Sequence, residues 1–364
     1  MFSTRPQIGG ADGALQDAGG GVFDKDGAAA QAFANPWIGA AGAGTLFLLA
    51  VAGLIAVTGD PRAGAPHVRI SLLQGPDHPL AGPDLAAPAP VTGPAAPAAP
   101  GGAVQALAPA PFSGLTAPGP GGLLPIIGPG GTTPAQAYAR PFHDTGAPKV
   151  ALVIGGLGLN AKTTRQAIED LPPEVTLSFV PYAEGLQGWI DLARANGHEV
   201  LLEAPMEPLD YPQNDPGPYT LMAQDPAQET VKRLETLLSR ATGYFGVTNY
   251  LGGRFLASDS AMAAFGGALH QRGLGFIDDG SAAGRGGGEP RASAERVIDQ
   301  DLDGASIDQQ LATLEASAQQ HGKAMASGFS YPVTLQEVQR WAMGLQGHGL
   351  VLAPASALMS RRAP

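Results

Sequence analysis

The chain has 364 residues, 44% of them hydrophobic, and its 52 Gly and 34 Pro are unevenly distributed along the sequence. Its net charge is -11 with only 21 Lys plus Arg, so it lacks the basic surface that neutralises phosphates, and no nucleic-acid partner is expected. Because the chain has no Cys, disulfides, thiolate nucleophiles and cysteine-ligated metals are excluded.

The N-terminal region divides into a polar segment and an apolar run. Residues 1–36 are mostly small or polar, as in GGADGALQDAGGG, and are predicted to be disordered. Residues 37–58 (WIGAAGAGTLFLLAVAGLIAVT) carry no charge and match the roughly 20 residues that cross a bilayer as a helix. We therefore predict one transmembrane helix, in preference to a buried soluble helix or a cleaved signal peptide, whose apolar run is shorter and nearer the terminus.

The charges beside this run do not set its orientation. Two basic residues lie on each side, Arg5 and Lys25 before it and Arg62 and Arg69 after it. The excess of Lys and Arg that marks a cytoplasmic flank is therefore missing.

Residues 59–147 are dominated by Ala, Pro and Gly, as in APAPVTGPAAPAAPGGAV. Too few large apolar side chains are present to offset the entropy lost on ordering the backbone, so we predict a disordered linker. We interpret a short apolar island at 123–127 as part of the linker. The alternative interpretation is that it packs on the folded domain.

From residue 148 to residue 360 the pattern changes to short apolar runs that alternate with amphipathic stretches. This pattern predicts an α/β domain with a largely parallel sheet. The predicted strands are 150–154, 175–180, 199–202, 244–248, 274–277, 296–298, 324–327 and 350–352. The predicted helices are 161–170, 186–196, 227–240, 258–271, 307–321 and 335–345. Seven or eight strands in this length favour a closed or nearly closed (β/α)7-8 barrel, with an open doubly wound sheet as the alternative.

Helix ends are predicted from cap residues. Ser258 and Thr334 are predicted N-caps, and Gly197, Gly273 and Gly322 lie where left-handed residues are expected after helix C-termini.

Carboxylates follow several predicted strands. Glu203, Glu207, Asp278 and Asp279 are candidates for an acid/base pair or for an all-oxygen Mg²⁺ or Ca²⁺ site. Asp278 and Asp279 are adjacent and point to opposite sides of the chain, so they do not count as a dyad. The alternative is structural, with Glu207 and Asp278 hydrogen-bonded to backbone amides or to Arg254.

Two other motifs have a functional and a structural interpretation. Gly156, Gly158 and Ala161 match the dinucleotide pattern G-x-G-x-x-A, but no acid follows the second strand, so we interpret the segment as a tight strand-to-helix turn. The Pro/Gly-rich loop 211–221 offers sugar-binding side chains, including Asn214 and Tyr219, with a structural lid as its alternative.

Zinc hydrolases need three convergent His or carboxylate ligands and an open position for water. None of the seven His follows a strand; they lie in the linker (His67, His78, His143), at or before strand starts (His198, His348) and at helix ends (His270, His321). Histidine ligation of zinc is not predicted.

Several segments in order, VALVIGGLGLN, LPPEVTLSFVPY, GHEVLLEAPMEP, YPQNDPGPYTL, GYFGVTNYLGGRF, RGLGFIDD and GFSYPVT, resemble the divergent polysaccharide deacetylase family. The resemblance covers almost the whole predicted domain. It implies a distorted (β/α)7-type barrel, an N-terminal membrane anchor or signal, an extracytoplasmic domain and metal-assisted removal of N-acetyl groups from a polysaccharide.

The sequence departs from the family's pattern at the expected metal ligands. Gly155 and Gly156 replace the Asp pair of Ile-Asp-Asp-Leu-Gly, and Glu203 stands where the family has His before Pro-Met. Tyr250 replaces the His of Asn-Asn-His-Met-Gly-Ser, and Phe329 replaces the His of Gly-His-Pro. Of the family's usual polar positions, only Asp278 is retained in kind. The resemblance therefore implies a degenerate site, with the family's zinc not expected.

Our leading hypothesis is a single-pass protein of the bacterial inner membrane whose periplasmic domain binds a glycan such as peptidoglycan, or an envelope protein partner, without hydrolysing it. The first alternative is an active glycan N-deacetylase that uses Glu203, Glu207 and Asp278. The second is a non-catalytic envelope scaffold. The predicted substrate-binding residues are Asn214, Asp215, Tyr219, Asn249, Tyr250, Arg254 and Asp279.

Overall fold

The computed structural model describes residues 105–283, 285 and 288–360. The predicted segment 1–36, the predicted membrane helix 37–58 and the first part of the predicted linker lie outside these residues. Within the described ranges, no helix has the length and apolar character needed to cross a membrane.

The described chain contains eleven strands. A short hairpin, β1 (Thr116–Pro118) and β2 (Leu123–Pro125), comes first. The remaining strands are β3 (Lys149–Leu157), β4 (Thr176–Phe179), β5 (Val200–Met206), β6 (Gly246–Leu251), β7 (Gly275–Asp278), β8 (Arg291–Ser293), β9 (Arg296–Val297), β10 (Lys323–Phe329) and β11 (Val351–Leu352). Each of the eight strands predicted from apolar runs has a counterpart, and β1, β2 and β8 are additional.

Seven α-helices accompany them in the described ranges. They are α1 (Pro134–Ala137), α2 (Ala161–Asp170), α3 (Leu186–Ala195), α4 (Ala227–Leu238), α5 (Asp259–Gln271), α6 (Gly304–His321) and α7 (Pro332–Gly344). The last six correspond to the six predicted helices.

Strands β3 to β11 form one parallel sheet in the order β8-β7-β6-β5-β4-β3-β10-β9, with β11 paired to the start of β3. This is a parallel α/β half-barrel. The prediction of a closed or nearly closed barrel is confirmed in part, as a half-barrel, because within the described residues the hydrogen-bonded path ends at β8 and β9 and no ladder joins them.

One segment, residues 291–297, lies at the seam between the two edges of the sheet. Residues 291–293 pair with β7, and after only two residues the chain pairs with β10 through Arg296 and Val297. The backbone N–H of Ala294 still donates to Asp278, whereas that of Glu295 donates to Met325. Since one short segment serves both edges, each edge strand is only two or three residues long.

Local caps account for several helix boundaries. Ser258 caps α5 as predicted, and Gly197, Gly273 and Gly322 all have positive φ, as expected after helix C-termini. Thr334 is not an N-cap. Helix α7 begins after Tyr331, and the buried Thr334 hydroxyl donates to Asp299 at 2.9 Å.

The sheet separates two apolar cores. Along β3, Leu152 and Ile154 pack under the helices, whereas Ala151 and Val153 face the inside of the half-barrel. The inner core is completed by the two ends of the described chain, which contribute residues such as Tyr138 and Leu358.

Residues 105–142, which we call the strap, were predicted to belong to a disordered linker, and for this part the structure differs. The strap packs against the amino-terminal ends of the strands, where Ala135 N–H donates to the carbonyl of Gly273 and Arg140 Nη1 donates to that of Gly197. The apolar island at 123–127 docks, with Leu124 only 5% exposed. Composition alone missed this, because the strap uses few large side chains and places them against a surface that the domain supplies.

Arg194 holds the strap to the half-barrel. It is 2% exposed, its Nη1 donates to the carbonyls of Tyr138 and Gly243, and its Nε and Nη2 donate to the carbonyl of Ala108. Burial lowers the pKa of its guanidinium, and three carbonyl dipoles compensate for the lost hydration.

We expect Arg194→Ala to lower the free energy of unfolding by about 2 to 4 kcal/mol, because the buried carbonyl oxygens of Tyr138 and Gly243 lose their donor and a large side chain leaves a cavity. Urea-induced unfolding of the purified protein measures this. Arg165→Ala is the matched control, since Arg165 forms only an exposed ion pair with Glu169 and a contact with the Trp189 ring, whose loss is expected to cost less than about 1 kcal/mol. Equal losses in the two variants would contradict the role of Arg194.

Candidate functional site

A cavity of about 150 Å³ opens at the carboxyl ends of the strands, the end of the half-barrel that we call the mouth. The opposite end is covered by the strap. Carboxyl ends of parallel strands are the usual position of functional sites in α/β folds. The cavity is lined by Val153, Gly155, Ser178, Glu203, Thr248, Asn249, Tyr250, Leu251, Asp279, Val297, Ser327, Gly328 and Phe329.

Glu203, on β5, is the buried acid of this cavity. Its side chain is 4% exposed, and its Oε1 accepts hydrogen bonds from Gly156 N–H at 2.6 Å and from the Ser178 hydroxyl at 2.9 Å. Burial raises the pKa of Glu203 from 4.5 to about 7, although both hydrogen bonds lower it. Its Oε2 makes no hydrogen bond to the described residues and is not fully buried.

Gly155 and Gly156 shape the wall next to Glu203. The pairing of β3 with β4 shifts register between Ile154 and Leu157, and Gly156 has φ +72°. A Cβ at position 155 would lie 2.8 Å from Ser178 Oγ and 2.9 Å from Glu203 Oε1. The space for a side chain here is already filled by these two residues.

The segment after β3 forms a tight turn. Gly158 has φ +96°, and the Asn160 side chain caps α2 by accepting from the N–H groups of Lys162 and Thr163. This is the structural interpretation of the G-x-G-x-x-A match.

Aromatic side chains border the cavity. The Tyr250 and Phe329 rings meet edge to face with centroids 6.2 Å apart, and Tyr331 extends the group at 6.3 Å from Phe329. Burial raises the pKa of Tyr250, and the nearby Glu203 carboxylate raises it further. The same two causes raise the pKa of Tyr182, whose hydroxyl donates to the carbonyl of Pro216.

Asn249 and Asp279 form a polar edge of the cavity. Asn249 Oδ1 accepts from Asp279 N–H at 3.0 Å, and its Nδ2 donates to the carbonyl of Leu251. Two of the predicted substrate-binding residues are therefore adjacent, beside Tyr250.

Glu207 and Arg254 lie outside the cavity lining and connect two loops. Glu207 Oε2 accepts from Ala223 N–H at 2.8 Å, and its Oε1 lies 3.5 Å from Arg254 Nη1. Arg254 Nη2 also donates to the carbonyl of Leu209. These contacts match the structural alternative stated for Glu207.

Asp278 is fully buried and does not line the cavity. Its Oδ2 accepts from Arg291 at 2.7 Å and from the Ser293 hydroxyl at 2.6 Å, while Oδ1 accepts from the N–H groups of Gly280 and Ala282. Asp278 therefore fixes the loop after β7 and the start of the seam segment.

The remaining predicted residues lie on the loop after β5. Asn214 and Asp215 are exposed, and Asp215 Oδ1 accepts from Gly217 N–H. Tyr219 is 48% exposed and has φ +63°, a strained backbone for a residue with a side chain. None of the three lines the cavity.

Sequence reasoning overlooked Ser178, which lines the cavity and donates to Glu203. The signal was available, because polar Thr176 and Ser178 alternate with apolar Leu177 and Phe179 along β4, and such alternation places both hydroxyls on the inner face.

Stability should depend on pH through Glu203. Because the folded protein holds this proton more tightly than the unfolded chain, Glu203 contributes stability that is complete below about pH 4.5 and is lost as the pH rises through about 7. The amide of Glu203→Gln can accept both hydrogen bonds without becoming charged. We expect it to be more stable than the parent by about 1 to 3 kcal/mol at pH 8 and equal to it near pH 4.5.

Urea-induced unfolding at the two pH values measures this difference. Glu169→Gln, an exposed change on α2, is the control. A difference for Glu203→Gln that is the same at both pH values would contradict the assignment.

Comparison with known proteins adds three relatives. A solved structure of an uncharacterized protein from Agrobacterium tumefaciens is 40% identical, with a TM-score of 0.63, and the match covers 65% of this chain and 99% of that one. An uncharacterized protein from Haemophilus influenzae is 26% identical over 198 residues, 52% of this chain and 70% of its own length. Uncharacterized protein YibQ from Escherichia coli is 23% identical over 221 residues, 59% of this chain and 68% of its own.

A family model described as divergent polysaccharide deacetylase matches residues 152–359. The matched region begins within β3 and ends after β11, so it contains every residue that lines the cavity. Since it also spans more than half of the sequence, the chain belongs to the divergent polysaccharide deacetylase family.

Proposed function

We propose that this protein binds a glycan at the mouth of the half-barrel and does not carry out the metal-assisted deacetylation expected of the family. The observation that carries the proposal is the packing at Gly155, where Ser178 and Glu203 fill the space in which the family's first-strand carboxylate would lie. The cavity remains open beside this filled position, with a predominantly apolar wall and a few polar groups.

The residues at the mouth do not fit the family's metal. Glycine offers no donor atom at positions 155 and 156, and phenylalanine offers none at position 329. Glu203 Oε1 already accepts two hydrogen bonds. In the ranges that the structure describes, no group of three His, Cys, Asp or Glu side chains is arranged to hold an ion. The proposed function therefore involves no metal.

Glycan binding is supported by the kinds of side chain around the cavity. Tyr250 and Phe329 offer aromatic surface, and Asn249 and Asp279 offer hydrogen-bonding groups beside it. The exposed Tyr219, Asn214 and Asp215 on the loop after β5 extend the surface that a longer chain of sugars would contact.

The predicted span at 37–58 supports a position in the cell envelope. We propose that it anchors the protein in the bacterial inner membrane with the half-barrel in the periplasm. A peptidoglycan fragment is then the glycan that the domain would meet.

A second candidate function is a metal-free deacetylase in which Glu203 acts as general base. The pKa of about 7 favours it, since a general base works best when its pKa is close to the operating pH. The two functions differ in turnover.

For glycan binding, we expect Tyr250→Ala to weaken the affinity for muropeptide or amino-sugar tetramers by about tenfold, because a bordering ring is removed. Isothermal titration calorimetry with the purified protein measures this. Met343→Ala, an exposed change on α7, is expected to leave the affinity unchanged. Equal affinities for both variants would place binding elsewhere.

For turnover, we expect no acetate release from chitotetraose or muropeptides above a no-protein blank, with or without added Zn²⁺. Acetate release at neutral pH that Glu203→Gln abolishes would instead establish the metal-free deacetylase. Release that requires Zn²⁺ would overturn both interpretations of the mouth.

A further inference from the structure

The mouth is strongly acidic. Among the loops that follow the strands, exposed acidic side chains occur at Glu184, Asp210, Asp215, Asp301 and Asp303. Two Arg are present in the same loops, and both are paired, Arg254 with Glu207 at 3.5 Å and Arg285 with Asp259 at 2.7 Å. The electrostatic field at the cavity entrance therefore attracts cations.

The cavity itself has a carboxyl group and no cation. No Lys, Arg or His is among the residues that line it. Glu203 is 4% exposed and uses one oxygen for Gly156 and Ser178, which leaves Oε2 without a partner in the described part of the chain. Asp279, the other acidic lining residue, uses its Oδ1 to accept from Ser281 N–H.

A buried carboxylate needs a counter-charge, since ionisation away from water is costly unless the charge is paired. In this family a metal would supply that charge, but the donor set does not fit one. A neutral acetamido group entering the cavity would also leave the charge of Glu203 uncompensated. A positively charged group would compensate it.

The aromatic walls favour the same kind of group. Tyr250 and Phe329 line the cavity at an interplanar angle of 82°, with Tyr331 beside Phe329. Aromatic faces combined with a carboxylate are a known means of binding ammonium groups, because the ring quadrupole and the negative charge both attract a cation.

We propose that the cavity receives a cationic amine, in a glycan the ammonium group of a sugar that has lost its N-acetyl group. This inference rests on the proposed function and names the ligand class of that site. Glu203 pairs with the ammonium, and Tyr250 and Phe329 surround it.

The first test uses choline and its uncharged isostere 3,3-dimethylbutan-1-ol, which have the same shape and differ in charge. We expect the purified full-length protein at pH 7 to bind choline at least about tenfold more tightly, a preference of the size that a desolvated cation–π and carboxylate contact gives. Equal binding of the two compounds, or binding of neither, would overturn the inference.

Variants locate the contact. Glu203→Gln and Tyr250→Leu are each expected to remove most of the choline preference, whereas Tyr250→Phe retains the ring and the preference. Glu169→Gln removes an exposed negative charge at the C-terminal end of α2, which is the end of that helix farther from the mouth, and is the control for a change in net charge. A preference that survives both Glu203→Gln and Tyr250→Leu would place the cation site elsewhere.

The second test compares chitotetraose with its fully de-N-acetylated form by calorimetry. Tighter binding of the de-N-acetylated tetramer supports the inference. Tighter or equal binding of chitotetraose would overturn it and leave glycan binding intact. If neither tetramer binds while choline does, the proposed glycan function fails and the amine site remains.

Discussion

The inner face of the half-barrel has to be covered, and the rest of the structure follows from how this is done. The parallel sheet does not close on itself, so without cover its inner side chains would be exposed to water at the amino-terminal ends of the strands and along the seam. The strap and the C-terminal segment pack into the amino-terminal end of the half-barrel, and the buried Arg194 fixes the strap by hydrogen bonds to the carbonyl oxygens of Ala108 and Tyr138. At the mouth, the cavity reaches the inner face beside Val153 and Glu203.

At the mouth, the contact between Ser178 and Glu203 beside Gly155 determines the electrostatic character of the cavity. Gly156 donates its backbone N–H to Glu203, and the missing side chain at Gly155 leaves room for Ser178 and Glu203 to meet. A larger residue at 155 would separate them. The site therefore has a buried carboxyl group on β5 beside two glycines on β3, and the proton affinity of that group is set by burial.

The proposed glycan site and the proposed amine site both depend on this contact. The metal-assisted deacetylation expected of the family would require a cation in the site. A site with a buried carboxyl group and aromatic walls has the opposite electrostatic preference and attracts a positive charge on the ligand. Asp278, retained from the family pattern, is used by Arg291 and by loop amides.

The sequence by itself determined the α/β class, the positions of eight strands and six helices, and the family, since these depend on local hydrophobic periodicity and on motifs. Only the tertiary structure decided that the barrel stays open, that the strap is ordered and that Glu203 meets Ser178. These depend on contacts between distant segments, which carry little local signal. The roles of Asp278 and Glu207 were undecided for the same reason, because the partners of a carboxylate are known only once the loops that carry them are placed.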